Sequence, residues 1–268
     1  MGVRVVDVTR ERRAAFAERI QALEAGQSYP LGDDRFEIDH GDDYFAFFDR
    51  LGEVAYLAAV DGDEVVAVSA IMLRQVPRRA GDPPEAVWYG ADLKVRPSHR
   101  RQRIPWAMFS WGVPRYYPRC GRGYGISMDP PDRENPVVRM CRRFGLAPMS
   151  VGTTLFFYSL DAPAMVAVEP LVRAHRGPVA YRSLRGIKDI VLQSTGAPMP
   201  LLHLQHGPCA EPGQPTPRAG HVHMFCSPVD DPLTRALFDE GLVPSATASV
   251  LQHRMGGWDW SFVLTSDI

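Results

Sequence analysis

The segment Leu93–Phe109 constrains the fold more than any other stretch of the sequence. A strand pattern ends at Val95, Pro97 interrupts it, and an apolar-periodic helix begins at Pro105. A loop that leads from a strand into a helix directs its amides and the positive end of the helix dipole towards one point. The loop is also rich in basic residues, namely Arg96, His99, Arg100, Arg101 and Arg103. The sequence therefore predicts a binding site for a polyanion such as a nucleotide pyrophosphate.

The spacing in this segment resembles the acyl-coenzyme A loop of the GNAT superfamily of N-acetyltransferases. The usual loop reads Val-x-Pro-x-x-Arg-Gly-x-Gly-x-Gly/Ala, and the matching residues are Val95, Pro97 and Arg100. The residues that replace glycine or alanine are Arg101, Arg103 and Pro105. Glycine lets the backbone adopt positive φ and approach a phosphate closely, whereas proline removes an amide donor. We therefore expect guanidinium groups to replace some of the amides that usually hold the pyrophosphate.

A second motif lies downstream at the separation that the same family shows. Residues 124–128 have the composition of a short buried strand, and residues 135–145 predict a helix with Pro136 in its first turn. Residues 150–160 are rich in β-forming residues. This order is similar to the second half of a GNAT domain, and the resemblance covers about the first 160 residues. It implies an α/β (α+β) fold with a mixed, largely antiparallel central sheet flanked by helices.

The resemblance also implies a co-substrate, either acetyl-CoA or a longer acyl-CoA, and no metal. GNAT domains splay two strands where the pantetheine arm lies, and Gly90 suggests a bulge there in the predicted strand 86–95. Aromatic residues near the site, including Trp106 and Phe109, are mostly core, but they could also line an acyl tunnel and favour a donor longer than acetyl. The residues expected to bind the co-substrate are Leu93, Lys94, Val95, Arg100, Arg101, Gln102, Arg103, Ile104, Pro105, Trp106 and Asn135.

Acyl transfer to an amine needs a base for the amine, a donor for the oxyanion and an acid for the departing thiolate. The family often places a glutamate where this chain has Ala91, and its proton-donating tyrosine corresponds to Cys141. Asp92 faces the other side of the strand unless a bulge shifts the phase, and pairing with the loop arginines is its alternative role. A lone helix cysteine such as Cys141 is more commonly a small core residue. The catalytic candidates are Asp92, Tyr89, Cys141 and Glu85.

The C-terminal hundred residues repeat part of the N-terminal pattern at an offset of 96 positions. Residues 128–155 align without a gap on residues 224–251, with identities at helix starts and stops. The alternative is that any strand–helix–strand unit places proline first and glycine last. We predict a tandem, with a GNAT domain in residues 1–160 and a degenerate GNAT-like domain in residues 161–268. The second half lacks any Val-x-Pro-x-x-Arg loop.

Local patterns predict the remaining elements. Thr9 is expected to cap a helix that Gly26 stops, residues 27–41 have a loop-like composition, and a hairpin spans residues 54–73. The second half is expected to contain a helix at 180–194 and strands near 200–204, 221–227, 245–255 and 258–265.

Composition excludes several classes of protein. A net charge of −1 gives no general basis for binding nucleic acid or membranes, and no apolar run is long enough for a spanning helix. Four widely spaced cysteines are typical of free thiols in a reducing cytoplasm, where we expect the protein. The histidines and cysteines between His203 and Cys226 follow no standard zinc spacing, so strand histidines in a polar interior are the simpler interpretation.

Three functions remain open at this point. The first is an N-acyltransferase that moves an acyl group from coenzyme A to an amine of a small molecule or peptide. The second has the same chemistry but takes the acyl group from an acyl carrier protein, whose acidic surface suits the loop arginines. The third is a non-catalytic binding module, which fits the missing glutamate and tyrosine. The sequence does not identify the acceptor or the oligomeric state.

Overall fold

The computed structural model describes residues 2–25, 27–31, 34–145 and 147–268. Gly26, the predicted end of the first helix, lies outside these ranges. The strands in the described residues are β1 (Arg4–Asp7), β2 (Ser28–Leu31), β3 (Asp34–Asp39), β4 (Glu53–Asp61), β5 (Glu64–Pro77), β6 (Pro84–Val95), β7 (Gly123–Met128), β8 (Ser150–Leu160), β9 (Val179–Arg182), β10 (Asp189–Leu192), β11 (Leu201–His206), β12 (Val222–Pro228) and β13 (Ala246–His253).

Helices cover both faces of the strands. They are α1 (Arg13–Glu24), α2 (Ala46–Asp49), α3 (Ile104–Tyr116), α4 (Pro136–Cys141), α5 (Ala162–Arg176) and α6 (Pro232–Asp239). In the part of the chain that the structure describes, no helix is long and apolar enough to cross a membrane.

Ten strands form one continuous sheet in the order β1-β4-β5-β6-β7-β13-β8-β12-β11-β9. Neighbouring strands are antiparallel except in two pairs, β6–β7 and β11–β12, which are parallel. A second sheet, in the order β10-β3-β2, joins the N-terminal part of the chain to residues 189–192. The expectation of a mixed, largely antiparallel sheet flanked by helices is therefore confirmed.

Side chains on the two faces of β4 and β5 pack against different helices. One face packs on α1 and α2, where Phe16, Ile20 and Phe47 belong to the same buried cluster as Met72. The other face packs on α3, where Met108 joins a separate cluster. Buried residues from the last fourteen positions, including Trp260 and Phe262, extend the first cluster across β6 and β7. This packing fixes the frame on which the loop between β6 and α3 stands.

The predicted repeat corresponds to two strand–helix–strand units in the structure. Both helices and both final strands begin 96 positions apart, α4 at Pro136 and α6 at Pro232, β8 at Ser150 and β13 at Ala246. The units exchange their last strands, because β13 lies between β7 and β8 while β8 lies between β13 and β12. The predicted boundary at residue 160 thus falls within a continuous sheet. The segment 207–221, which connects β11 to β12, has no helix where α3 connects β6 to β7.

Several predicted elements are wrong. The expected helix at 180–194 is replaced by β9 and β10, since Val179 and Tyr181 alternate with less buried residues and pair with β11, as strand residues do. The expected loop at 27–41 forms β2 and β3 because β10 completes their sheet. The expected strand at 258–265 consists of 3₁₀ turns at Trp260–Phe262 and Thr265–Asp267. Thr9 makes no side-chain cap, and a 3₁₀ turn precedes α1.

Candidate functional site

Strands β6 and β7 separate in the middle of the sheet. They pair only at Trp88–Gly123, Tyr89–Tyr124 and Gly90–Gly125. Beyond that point β6 continues to Val95, and no strand of the described residues pairs with it on this side. The two backbones approach closely before they diverge, since a Cβ on Gly125 would lie 3.1 Å from the carbonyl oxygen of Gly90. The result is a wedge whose walls expose unpaired strand edges.

The bulge in β6 was expected at Gly90, but it lies two residues further along the strand. Ala91 pairs with Ala70 and Lys94 with Val68, so Asp92 and Leu93 together oppose the single residue Ser69. Asp92 adopts a left-handed backbone conformation with φ of 56°. This conformation is unfavourable for a residue other than glycine, and such conformations cluster at functional sites. The bulge breaks the alternation of β6 beside the wedge.

Asp92 belongs to a buried polar cluster on the α1 face of β6. Its carboxylate lies 2.7 Å from the ammonium of Lys94 and accepts a hydrogen bond from the hydroxyl of Tyr44. Lys94 also donates to Glu24 at the end of α1. Burial alone would raise the pKa of Asp92, but Lys94 and His40 outweigh it and hold that pKa below its ordinary value. The alternative in which Asp92 pairs with the loop arginines is therefore wrong, because Lys94 takes that place.

His40 is the member of this cluster with unused hydrogen-bonding capacity. Its side chain is 2% exposed, and Nε2 lies 3.4 Å from Oε1 of Glu24. Neither ring nitrogen makes a hydrogen bond to any described residue. A buried imidazole of this kind can accept a proton from a group that enters the cluster. Sequence reasoning missed Glu24, His40 and Tyr44, since they come from three segments with no shared motif.

The loop between β6 and α3 has the expected shape, although arginines replace the glycines that the family usually has. Arg101 and Arg103 have φ values of 67° and 58°, and they occupy two of the positions where the family has glycine. The N-cap residue of α3, Arg103, makes no side-chain capping bond to the described residues. Helices α4, α5 and α6, in contrast, are capped by Asn135, Asp161 and Asp231. The first amides of α3 are thus left for another acceptor.

The basic side chains of this loop divide into two groups. Arg96 and His99 lie 3.2 Å from Glu64 and 3.5 Å from Asp61, at the turn between β4 and β5. The second group consists of Arg101 and Arg103. Their side chains are exposed, and no carboxylate of the described residues lies within 4 Å of them. Arg100 is also exposed, and its guanidinium donates to the side-chain oxygen of Gln27 at 3.3 Å. Three guanidinium groups therefore remain for an anionic ligand beside the uncapped helix.

The other predicted co-substrate residues are distributed around this loop. Ile104 is buried under the first turn of α3, and Trp106 packs on Phe144 with ring centroids 5.3 Å apart. The amide of Gln102 bonds the carbonyl oxygen of Ser98. Lys94 points to the opposite face, where it holds Asp92 and Glu24. The last three predicted co-substrate residues are Leu93 and Val95, which lie at the end of β6, and Pro105, which lies in the first turn of α3.

Asn135 is committed to holding β7 against α4. Its Oδ1 accepts hydrogen bonds from the amides of Val137 and Val138. Its Nδ2 donates to the backbone of Ser127 and to Asp129. The side chain therefore fixes the wall of the wedge that β7 provides, and its predicted contact with the co-substrate remains a prediction.

An apolar cavity of about 160 Å³ adjoins the wedge between the sheet and helices α3 and α4. Its lining begins at Gly90 and Ser69 and ends at Tyr117 and His253. Cys141 lies in its wall, and burial raises the pKa of this thiol to about 11. The thiol is therefore protonated at neutral pH.

The remaining catalytic candidates do not join the polar cluster. The hydroxyl of Tyr89 is fully buried, donates to the carbonyl oxygen of Asp267 and has a pKa raised well above its ordinary range by burial. Glu85 bonds Arg122 near the start of β6. Seven residues separate Glu85 from Asp92, which corresponds to about 23 Å along a strand. The structure thus brings only Asp92 of the four candidates into the polar cluster.

The histidines and cysteines of the second half are dispersed. Nδ1 of His203 lies 3.0 Å from the hydroxyl oxygen of Thr265, and Nε2 of His223 accepts from the amide of Arg218. The cluster in the described residues whose ligand atoms lie close enough for a metal is Glu24, His40 and Asp92. The ammonium of Lys94 already contacts both carboxylates of that cluster.

Comparisons with known proteins agree with this architecture. No protein-family model matches the sequence. A tandem GNAT protein from the clavulanic acid biosynthesis pathway is 11% identical, with 95% of this chain and 99% of that chain covered and a TM-score of 0.51. A GCN5-related N-acetyltransferase from Kribbella flavida is 12% identical over 94% of this chain and 71% of that chain, with a TM-score of 0.44.

One curated relative is also similar in sequence. An uncharacterized protein of Acanthamoeba polyphaga mimivirus is 21% identical in an alignment 238 residues long, and the alignment covers 84% of this chain and 68% of the relative. The structural likeness to the tandem GNAT protein confirms the fold expected from the sequence. At this identity the activity must be argued from the site itself.

Proposed function

We propose that this protein is an N-acyltransferase that moves an acyl group from a coenzyme A thioester to an amine. The observation that carries the proposal is the wedge between β6 and β7, which opens beside the uncapped N-terminus of α3. Unpaired strand edges suit the amide groups of a pantetheine arm, and helix amides with guanidinium groups suit a pyrophosphate. The acceptor is an amine of a small molecule or peptide. The similarity in fold to the tandem GNAT protein of the clavulanic acid biosynthesis pathway supports the same direction.

The residues present fit such a co-substrate. Arg101 and Arg103 keep the left-handed backbone that glycine usually provides, so the loop retains its curvature around the helix terminus. Arg100, Arg101 and Arg103 add charge that compensates for the amide that Pro105 lacks. The phosphate groups would lie against this loop, and the arm would lie between the unpaired edges of β6 and β7.

A bound acyl thioester supplies an electrophilic carbonyl carbon, and the protein must manage two protons. In our proposal His40 accepts the proton of the incoming amine, because its ring nitrogens make no hydrogen bond to the described residues and the Glu24 carboxylate lies 3.4 Å from Nε2. Asp92 is less suited to this role, since its lowered pKa makes it a weak base. Its negative charge instead helps to stabilise the imidazolium that forms.

Cys141 is poorly suited to protonate the departing thiolate. Its pKa of about 11 makes it a weaker acid than an ordinary thiol, whose pKa is about 8.5. Proton transfer from Cys141 to the leaving group would therefore be uphill. We propose that the proton comes from water at the open end of the wedge. A Cys141→Ala variant should then keep most of the activity.

Calorimetry with CoA, acetyl-CoA and phosphopantetheine tests the donor. We expect CoA and acetyl-CoA to bind and an Arg101→Ala/Arg103→Ala variant to bind them at least tenfold more weakly. Arg142→Ala is the matched control, since Arg142 is exposed and pairs with Glu134 away from the loop. Equal affinity of phosphopantetheine and CoA would instead favour an acyl carrier protein as donor. No binding of any of the three would favour a non-catalytic module.

Thiol release in the presence of amines tests the reaction and the base. With a panel of small amines and peptide N-termini, we expect acyl-dependent release that His40→Gln reduces at least a hundredfold at pH 7. His175→Gln is the control, because His175 is exposed on α5. If His40→Gln retained full kcat and the same pH profile, the assignment of the base would be wrong even where acyl transfer was observed.

A further inference from the structure

The apolar cavity beside the wedge has no role in binding the nucleotide or the arm. It lies on the α3 and α4 side of the sheet, under the helix whose N-terminus forms the loop site. Its lining reaches from Met108, in the second turn of α3, to Tyr116, at the end of that helix. Eight residues of helix correspond to about 12 Å. The cavity is therefore an elongated space that starts where the two strands separate.

The lining is almost entirely apolar. Leu57, Ile71, Met108 and Val113 form the sides, and Trp88 lies towards the far end. Protein interiors are usually packed without voids of this size, and an apolar cavity stays dry and admits apolar ligands. The shape, the apolar lining and the position next to Gly90 all fit an alkyl chain better than a polar acceptor.

We infer that the cavity holds the alkyl chain of a medium-chain fatty acyl donor, so that this protein prefers donors longer than acetyl. The inference rests on the proposed acyltransfer function. A thioester carbonyl at the separation point, near Gly90 and Ser69, would direct the chain away from the phosphates and along α3 towards Tyr117. The amine would reach the same carbonyl from the other face of the sheet, where His40 and Asp92 lie.

Helix α3 approaches the sheet closely at the middle of this path. Gly112 faces the sheet, and a Cβ there would lie 3.2 Å from Cδ1 of Leu57 and 3.8 Å from Cδ1 of Ile71. A larger residue at this position would press against Leu57, so Gly112 is not a suitable site for a substitution that blocks the path. Val113, the next residue, also lines the cavity and is only half-buried, so a bulkier side chain can be introduced there with less strain.

The test is calorimetry of the full-length protein with CoA, acetyl-CoA, hexanoyl-CoA and decanoyl-CoA, without an amine. Each methylene that enters a dry cavity should tighten binding by about fourfold, so hexanoyl-CoA should bind at least tenfold more tightly than acetyl-CoA. Val113→Phe should abolish this gain and leave the affinity for CoA and acetyl-CoA unchanged. Ser110→Phe, on the exposed face of α3, should leave the gain intact.

A second variant separates loss of the cavity from loss of the fold. Tyr117→Ala enlarges the far end and should extend the gain to chains longer than the optimum of the unaltered protein. If CoA bound but chain length had no effect, the inference would be overturned while the donor proposal stood. A chain-length gain that survived Val113→Phe would also overturn it, because the chain would then lie elsewhere. Failure of CoA itself to bind would remove the proposed function as well.

Discussion

The ammonium group of Lys94 lies 2.7 Å from the carboxylate of Asp92, across the bulge that gives Asp92 its left-handed backbone. The same ammonium also contacts Glu24, so one cation compensates two buried carboxylates. The three side chains are each less than 10% exposed. The pair therefore connects α1 to the wall of the wedge and determines the charge of the proposed active site.

Removing Lys94 should destabilise the protein strongly. Lys94→Met leaves Asp92 and Glu24 buried without a cation, and breaking a buried pair in this way costs about 3–5 kcal/mol. Urea unfolding monitored by tryptophan fluorescence measures the change. Arg119→Met is the control, because Arg119 and Glu53 form an exposed pair, whose loss should cost less than about 1 kcal/mol. Equal effects of the two substitutions would contradict this account.

Glycine at the left-handed positions of the loop should not destabilise the fold. Arg101 and Arg103 have positive φ values, which cost about 1–2 kcal/mol for a residue with a side chain. Arg103→Gly relieves that strain, so the free energy of unfolding should stay equal or rise by up to about 1 kcal/mol, despite the greater entropy of the unfolded chain.

A matched substitution on the same helix should have the opposite sign. Arg115→Gly replaces an exposed residue in the last turn of α3 and should cost about 1 kcal/mol. Chemical denaturation of both variants provides the comparison. A loss of 1 kcal/mol or more in Arg103→Gly would show that the left-handed conformation is not strained in the folded protein.

The loop and the wedge could be predicted because their signals are local. Val95, Pro97 and the apolar period after Pro105 lie within eleven residues, and they determine the strand end and the helix start. The bulge was expected at Gly90, but strand pairing decides its position, since Ser69 on β5 faces two residues of β6. A single strand does not contain that information.

Neither the polar cluster nor the second sheet could be predicted, because both depend on contacts between distant parts of the chain. Strand β3 becomes a strand by pairing with β10, which lies about 150 positions away. His40 follows that strand directly and reaches Glu24 and Asp92 only once the chain has folded. Helix α5 was not assigned either, because Pro170 interrupts its pattern, although Asp161 caps its start.

Two buried histidines should make the protein sensitive to mild acid. Burial, followed by nearby cationic groups, lowers the pKa of both His203 and His206 to about 3. Between about pH 6.5 and pH 3 the unfolded chain therefore binds protons that the native protein does not, and stability falls as the pH falls. From pH 7 to pH 5 each histidine should reduce the free energy of unfolding by about 2 kcal/mol.

Denaturation at pH 7, 6 and 5 measures this dependence. His203→Gln and His206→Gln should each reduce the slope with pH, whatever their effect on stability at pH 7. His175→Gln removes an exposed histidine and should leave the slope as it is. A slope unaffected by the two buried substitutions would mean that other groups take up the protons.

The exchanged strand β13 predicts how the chain behaves when it is divided. Residues 1–160 contain β7 and β8, but β13, which lies between them, comes from residues 246–253. A fragment that ends at residue 160 therefore exposes an edge of β7, leaves β8 without either of its neighbours, and uncovers apolar side chains such as Leu155. We expect this fragment to aggregate or remain unfolded when it is produced alone, as judged by size-exclusion chromatography and circular dichroism.

Co-expression with residues 161–268 should restore a soluble complex, because it supplies β13. If the fragment alone folded cooperatively and bound coenzyme A with full affinity, residues 1–160 would be an independent domain and the exchange would be dispensable for the wedge.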